Sequence, residues 1–369
     1  MWYRILTLIK KELLAVLRDP KVRLSIFLPP IIQLFIFTFA ATLDVKNVPI
    51  GILNRDNGEQ GFELVQRFYG SPMFTNVKFL KGVQEIAPFI DNQKGIMVVS
   101  LDQQFSRNID QANPANVQLI LDGRKSNTAQ ILAGYAAQIV NQFNNDLMAK
   151  AQVKQENVRL ISRVWFNPNI EYYWYNIPCL VCVLSMLTCL VVTTQSVARE
   201  RELGTFDQLL VSPLLPKEIL IGKIIPGIIV GFIEGMALLT IGVLILKVPF
   251  TGSLLLYIFS LFIFVSSISG IGLFISSLSS TQQQAMLGTF VFMVPAILLS
   301  GFATPIENMP DWLQPVTYLI PLRYMLIISK GLFLKALPAR YVLENAWPMI
   351  VLGICNIVGA GWFFRRRLE

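Results

Sequence analysis

Between Val248 and Ile306 the chain carries no charged residue, and no water-soluble fold hides so long an apolar run. A hydrocarbon core of about 30 Å is crossed by about 20 helical residues, so this tract exceeds one crossing and has to fold back on itself. The break falls at Ser276, Ser277, Ser279, Ser280, Thr281, Gln282, Gln283 and Gln284, groups that would go unsatisfied in lipid. Helices over 252–275 and 285–302 are expected on either side.

The same criterion finds four further spans. Leu24–Leu43 is uncharged, and Tyr172–Ala198 opens with the aromatic group Tyr172, Tyr173, Trp174 and Tyr175, as at a membrane interface. Ile224–Leu246 is interrupted only by Glu234, and 345–364 is closed by Arg365, Arg366 and Arg367. With 54% hydrophobic and 15% charged residues, against about 25% charged in an average soluble domain, the expected fold is an α-helical polytopic membrane protein with about six spans. Residues 1–23 place Leu6, Ile9, Leu13, Leu14, Val16 and Leu17 on one helical face and Arg4, Lys10, Lys11, Glu12 and Arg18 mostly on the other. That pattern predicts an amphipathic helix on the membrane surface, retained because the apolar stretch after it lacks a small-residue cleavage site.

Basic residues near the span ends set the orientation. Six of eight charges in 1–23 and three of four in 365–369 are positive, which predicts that both termini are cytoplasmic. Residues 44–171 then lie outside, where 13 basic and 12 acidic residues nearly cancel. The net charge of +8 is therefore a topology signal and not a nucleic-acid footprint. The outside segment reads as a mixed α/β domain, with strands at Val48–Leu53, Val77–Leu80, Ile96–Val99 and Val117–Leu121 and a helix at Asn127–Lys150.

Enzyme chemistry has little to work with. No histidine occurs, which removes the commonest general base and any serine–histidine hydrolase. Cys179, Cys182, Cys189 and Cys355 all sit in apolar tracts. Cys179 and Cys182 form a CxxC, but without a second pair or a histidine they do not make a metal site. No G-x-x-x-x-G-K-[ST] occurs, and the Gly222–Lys223 pair is followed by isoleucine, so no catalytic, cofactor or metal residues are expected in this chain.

The inside stretch 198–218 opens with alternating charge, Arg199, Glu200, Arg201 and Glu202, followed by Gly204 and Thr205. Alternating charges are common on solvated helices, so one account is a connector that merely ends a span. The other is a short helix that docks a partner, because Leu203, Phe206, Leu209 and Leu210 need cover. Glu234 is costly at mid-span. It either contacts a cationic substrate or proton on a transport path, or it packs against a hydroxyl or a companion subunit; Gly227, Gly231 and Gly235 on the same helix allow close packing.

Three groups of residues together resemble the permease subunits of ABC-2 type transporters, and within them the multidrug-exporter permeases of the YbhR kind. They are Leu8–Leu13 with Arg18, Asp19 and Pro20; Ala198–Thr205 with Leu209–Pro213; and Met293–Gly301 with Pro305, Met309 and Pro310. The resemblance covers essentially the whole chain. It implies that Arg199, Glu200, Arg201, Glu202, Gly204 and Thr205 form the coupling element seated on an ATPase subunit. It also implies an external re-entrant segment over 303–323, marked by Pro305, Pro310, Trp312 and Pro321, a proline spacing unsuited to a regular span. ATP and magnesium would be bound by the partner ATPase. A second, homologous permease, a periplasmic membrane-fusion adaptor and an outer-membrane channel are the further partners implied, in a bacterial inner membrane.

Two other functions compete. An ion-coupled secondary carrier would use Glu234, but such carriers show internal repeats with paired broken helices, and none is seen here. A membrane sensor would bind a ligand with 44–171, but it would carry a cytoplasmic signalling domain, and the inside segments are short.

Overall fold

The computed structural model describes residues 2–18, 20–40, 48–74, 76–150, 167, 171–212 and 214–366. The chain divides into two compact units, one of residues 1–41 with 163–369 and one of residues 42–162.

The first unit begins with α1 (Trp2–Arg18) and α2 (Pro20–Ala40). Segments 2–18 and 23–39 of this pair meet at a 68° bend. Ile5, Leu8 and Ile9 bury one stripe of α1 while Trp2, Tyr3, Leu6, Leu14 and Leu17 stay exposed, a partition expected of a helix half-sunk in an interface.

The second unit is built on a four-stranded sheet. β1 (Pro49–Asn54) is followed by α3 (Glu59–Tyr69), β2 (Asn76–Phe79), α4 (Ile86–Asp91), β3 (Met97–Leu101), α5 (Phe105–Asp110), β4 (Val117–Leu121) and α6 (Ser126–Lys150). The sheet order is β2-β1-β3-β4. β1 runs parallel to β2, with Ile50 beside Val77, and parallel to β3, with Ile52 beside Val99; β4 is antiparallel to β3, with Leu119 beside Val99. Ile50, Ile52, Met97, Val99 and Leu101 face α3, α5 and α6 through Leu64, Phe68, Phe105, Leu132 and Phe143. Leu53 and Val98 face Leu80 and Phe89 on the other side. Burial on both faces is why β1 and β3 read as unbroken apolar runs instead of alternating ones.

The chain returns to the first unit through α7 (Tyr172–Glu202), α8 (Phe206–Val211) and α9 (Pro216–Thr240), which a π-helical turn at Ile241–Ile245 extends. Then follow α10 (Leu254–Leu278), α11 (Gln282–Leu299), α12 (Pro321–Leu334) and α13 (Ala339–Arg366). Among the described residues, five helices are long and apolar enough to cross a membrane, or six if the bent α1–α2 pair is one span. α7 is the central one. Its most apolar window is 89% buried, against 17% for α11 and 22% for α13, and it packs on α2, α9, α10, α11 and α12. Close approach depends on glycines facing Thr193: a Cβ at Gly227 would stand 2.1 Å from Thr193 Cγ2, and one at Gly272 would stand 1.8 Å from Thr193 Oγ1.

Between α11 and α12 the chain makes short 3-10 turns at Ile306–Asn308 and Gln314–Leu319. Pro321 then opens α12 instead of breaking it, because proline fits the first helical position, where its missing N–H costs nothing. The helix runs eleven residues beyond the expected boundary at 323. Its Leu322, Met325, Leu326, Ile328, Leu332 and Phe333 join the main apolar cluster with Leu180, Cys182 and Tyr257.

Candidate coupling site at the charged end of the spans

At 1.5 Å per residue, the 31 residues of α7 measure about 46 Å and overreach a hydrocarbon core of about 30 Å by roughly half. Arg199–Glu202 is therefore the last turn of a rigid helix rather than a separate loop helix. Gly204, at φ +68°, ends it in a left-handed conformation that glycine adopts at no steric cost. Thr205 N–H donates back to Glu200 O at 2.9 Å, and α8 starts immediately after.

Glu200 points inward from this turn and is buried. Lys223, on the second turn of α9, is 1% exposed. Its Nζ lies 2.7 Å from Glu12 Oε1 of α1, 2.8 Å from Glu200 Oε2 and 3.0 Å from Ser196 O. The Glu200 contact is close as an ion pair but is not aligned as a hydrogen bond. Lys11 Nζ donates to Glu200 Oε1 at 2.6 Å from the more exposed side. Two lysines and two glutamates thus form an electroneutral cluster that fastens α1, α7 and α9 together. Burying charge is expensive unless each ion is paired and hydrogen-bonded, and here every ion has a partner.

Arg201 and Glu202 of the motif are also engaged within the chain. Arg201 Nη1 donates to the carbonyls of Ser277 at 2.7 Å and Ser279 at 3.1 Å, and its guanidinium lies 5.0 Å from the centroid of the Phe206 ring. Glu202 Oε2 accepts from Gln282 N at 2.8 Å and Nε2 at 3.2 Å. Ser276 Oγ accepts from the N–H groups of Val197 and Ala198 at 3.1 and 3.2 Å. The polar break between α10 and α11 is thereby stitched to the end of α7. Arg199 lines a small cleft with Glu12 and Lys223. Of the apolar set expected to need cover, Phe206 is already buried and Leu203 is 67% exposed; the side chains of Leu209 and Leu210 lie outside the described set. Val211 and Leu215, at 88% and 59% exposed, extend the uncovered shoulder.

Lys223 is the residue the sequence argument missed. Its signal was a lone cation one residue before an apolar span, seen there only as part of a failed phosphate-loop match. Lys11 and Glu12 were legible as polar-face charges, but their partners lie about 190 to 210 residues away in sequence.

Glu234 sits on α9 at 2% exposure, and neither carboxylate oxygen has a hydrogen-bond partner among the described residues. The Thr188 hydroxyl of α7 is the polar group beside it, outside good hydrogen-bond geometry. Pro305, Pro310 and Trp312 fall in the turns before α12 and Pro321 opens it; Trp312 is 75% exposed, while Pro321 is buried. Cys179, Cys182 and Cys189 are buried thiols, and Cys182 Sγ donates to Pro178 O at 3.2 Å. Among the described residues no cluster of three or more acidic, cysteine or histidine side chains is placed to hold a metal ion.

A family model described as ABC-2 family transporter protein matches residues 21–362. In Escherichia coli strain K12, the "Probable multidrug ABC transporter permease YbhR" is 46% identical over 368 residues, covering the full length of both chains. The "Probable multidrug ABC transporter permease YbhS" of that strain is 30% identical over 374 residues, covering 100% of this chain and 98% of the relative. The "Inner membrane transport permease YhhJ" is 25% identical over 344 residues, 92% of this chain and 90% of the relative. Helices fit to cross a membrane, a neutral ion cluster tying their charged ends, and full-length similarity to permeases lead to one assignment: the chain belongs to the ABC-2 family of transporters, as a permease.

Proposed function

We propose that this permease is the membrane-spanning subunit of an ATP-binding-cassette exporter that moves drugs or other small amphipathic or cationic compounds out of the cytoplasm. ATP, with magnesium, is hydrolysed by a separate subunit seated on the end of α7. The neutral cluster of Lys11, Glu12, Glu200 and Lys223 carries this reading. It locks α1, α7 and α9 into one body, and the segment that joins α7 to α9 exposes Leu203, Val211 and Leu215, so a subunit gripping that segment moves three helices together. A flexible connector would dissipate the same motion.

In this arrangement both termini face the cytoplasm of a bacterial inner membrane, and 44–171 lies outside. A second, homologous permease completes the pathway, and a periplasmic adaptor leads to an outer-membrane channel. Glu234 lies on the transport path or at a helix interface.

Co-purification in mild detergent, with the bound subunits identified by mass spectrometry, tests the reading. The parent retains an ATPase. Leu203→Glu with Val211→Glu abolishes retention, or leaves hydrolysis uncoupled from transport, while the permease still inserts. Parental export with normal ATPase retention by this double variant would overturn the assignment.

A further inference from the structure

The unit of residues 42–162 contains a groove of about 710 Å³ between α5, α6 and the start of β4. That volume falls in the range of small-molecule sites, about 300–1,000 Å³. Its floor is apolar: the partly exposed Val117, Val140, Leu147 and Met148 line it, backed by the buried Phe105 and Phe143. The two phenylalanine rings are stacked with centroids 6.3 Å apart, and both belong to the sheet-backed core of the unit. The floor is thus preformed instead of needing to be assembled around a ligand.

The polar groups in the wall are all uncharged amides: Gln60, Asn113, Asn141 and Asn144. No charged side chain lines the groove among the described residues. Arg67, which lies 5.2 Å from the Phe143 centroid, is held by Glu63 and Asp146. Gln60 Oε1 is buried without a hydrogen-bond partner among the described residues. The final torsion of a glutamine is broad, so a small turn of the amide presents that acceptor to a donor in the groove.

We propose that this groove is a binding site for a neutral, amphipathic molecule bearing a hydroxyl or amide N–H, which packs its apolar part on Val140, Leu147 and Met148 and donates to Gln60. The proposal deepens the export reading by giving the outside unit a ligand of its own. It excludes a charged ligand, because an ion would enter an apolar groove with no counter-ion.

The test uses the full-length protein in nanodiscs and the photoreactive probe 4-(hydroxymethyl)benzophenone. Its methyl ether, the corresponding carboxylate and a trimethylammonium analogue serve as comparisons. Irradiation followed by peptide mapping is expected to give saturable labelling of residues 140–148, about 5-fold tighter for the alcohol than for the ether, as one net hydrogen bond allows. Both charged analogues should bind at least 10-fold more weakly. Gln60→Leu should abolish the alcohol–ether difference while keeping labelling, because the atom it removes has no partner in the fold. Ala115→Trp, which fills the groove, should lose the labelling. Non-saturable labelling, equal labelling by the charged analogues, or an alcohol preference that survives Gln60→Leu would each overturn the proposal. Because no ATPase is present in this assay, failure here leaves the export reading standing, and failure of ATPase retention leaves this one standing.

Discussion

Lys223→Met removes the ammonium at the centre of the buried cluster while keeping an unbranched side chain. Two carboxylates that sat 2.7 and 2.8 Å from it are then left with Lys11, which stands 2.6 Å from Glu200 but 3.9 Å from Glu12 and is 56% exposed. Removing one partner of a buried ion pair costs about 3–5 kcal/mol, because the remaining charge is stranded. At about 2–4 °C per kcal/mol for a unit of this size, melting should fall by about 6–20 °C. Buried thiols supply the assay. Cys179, Cys182 and Cys189 lie on α7 and are fully buried, so a thiol-reactive dye reports the unfolding of the helix that carries Glu200. Cys355, which is exposed, is first changed to serine to remove background. The triple variant Glu12→Gln, Glu200→Gln and Lys223→Met, in which the charge left in the cluster is that of the half-exposed Lys11, should regain at least half of the loss. A Lys223→Met protein melting within 2 °C of the parent would refute the buried-cluster argument. So would a triple variant no more stable than the single one, since the loss would then be one of packing and not of stranded charge.

Three further outcomes follow from other parts of the molecule. A single cysteine at exposed Asn57 should react with an impermeant thiol reagent in intact spheroplasts; labelling only after lysis would put the α/β unit inside. Glu234→Gln keeps the shape of a side chain that has no hydrogen-bond partner among the described residues, so the thiol melting point should stay within about 2 °C of the parent. Export of cations should fall more than export of neutral compounds, and equal loss of both would leave only a packing role. Gly272→Ala drives a methyl against Thr193 and should cost about 1–3 kcal/mol by overpacking. Thr193→Ala should recover part of that loss, and no recovery would mean that the contact between α7 and α10 is not what limits the site.

What the sequence determined by itself was whatever depends on solvent and on local pattern. The charge-free run from Val248 to Ile306 had to break, and Ser276–Gln284 was the place where broken backbone and hydroxyl groups could find partners; α10 and α11 end and begin there. The apolar runs of the 42–162 unit fall within two residues of its strands, and for β1 and β3 the reason is that strands buried on both faces cannot hide their composition. Proline spacing marked the turns before α12 but not α12 itself, since proline begins a helix as readily as it ends one and only packing decides which.

Tertiary structure alone decided what the charges are for. Arg199–Glu202 looks from its alternation like a solvated or docking helix, yet Glu200 is buried against Lys223, Arg201 caps the carbonyls at the end of α10, and Glu202 takes the first N–H of α11. Each partner lies about 20 to 80 residues away along the chain or, for α1, about 190. Periodicity sees only neighbours three and four residues apart. An ion pair between helices is set by which faces meet, and that is fixed by the glycines that let α7, α9 and α10 close on Thr193.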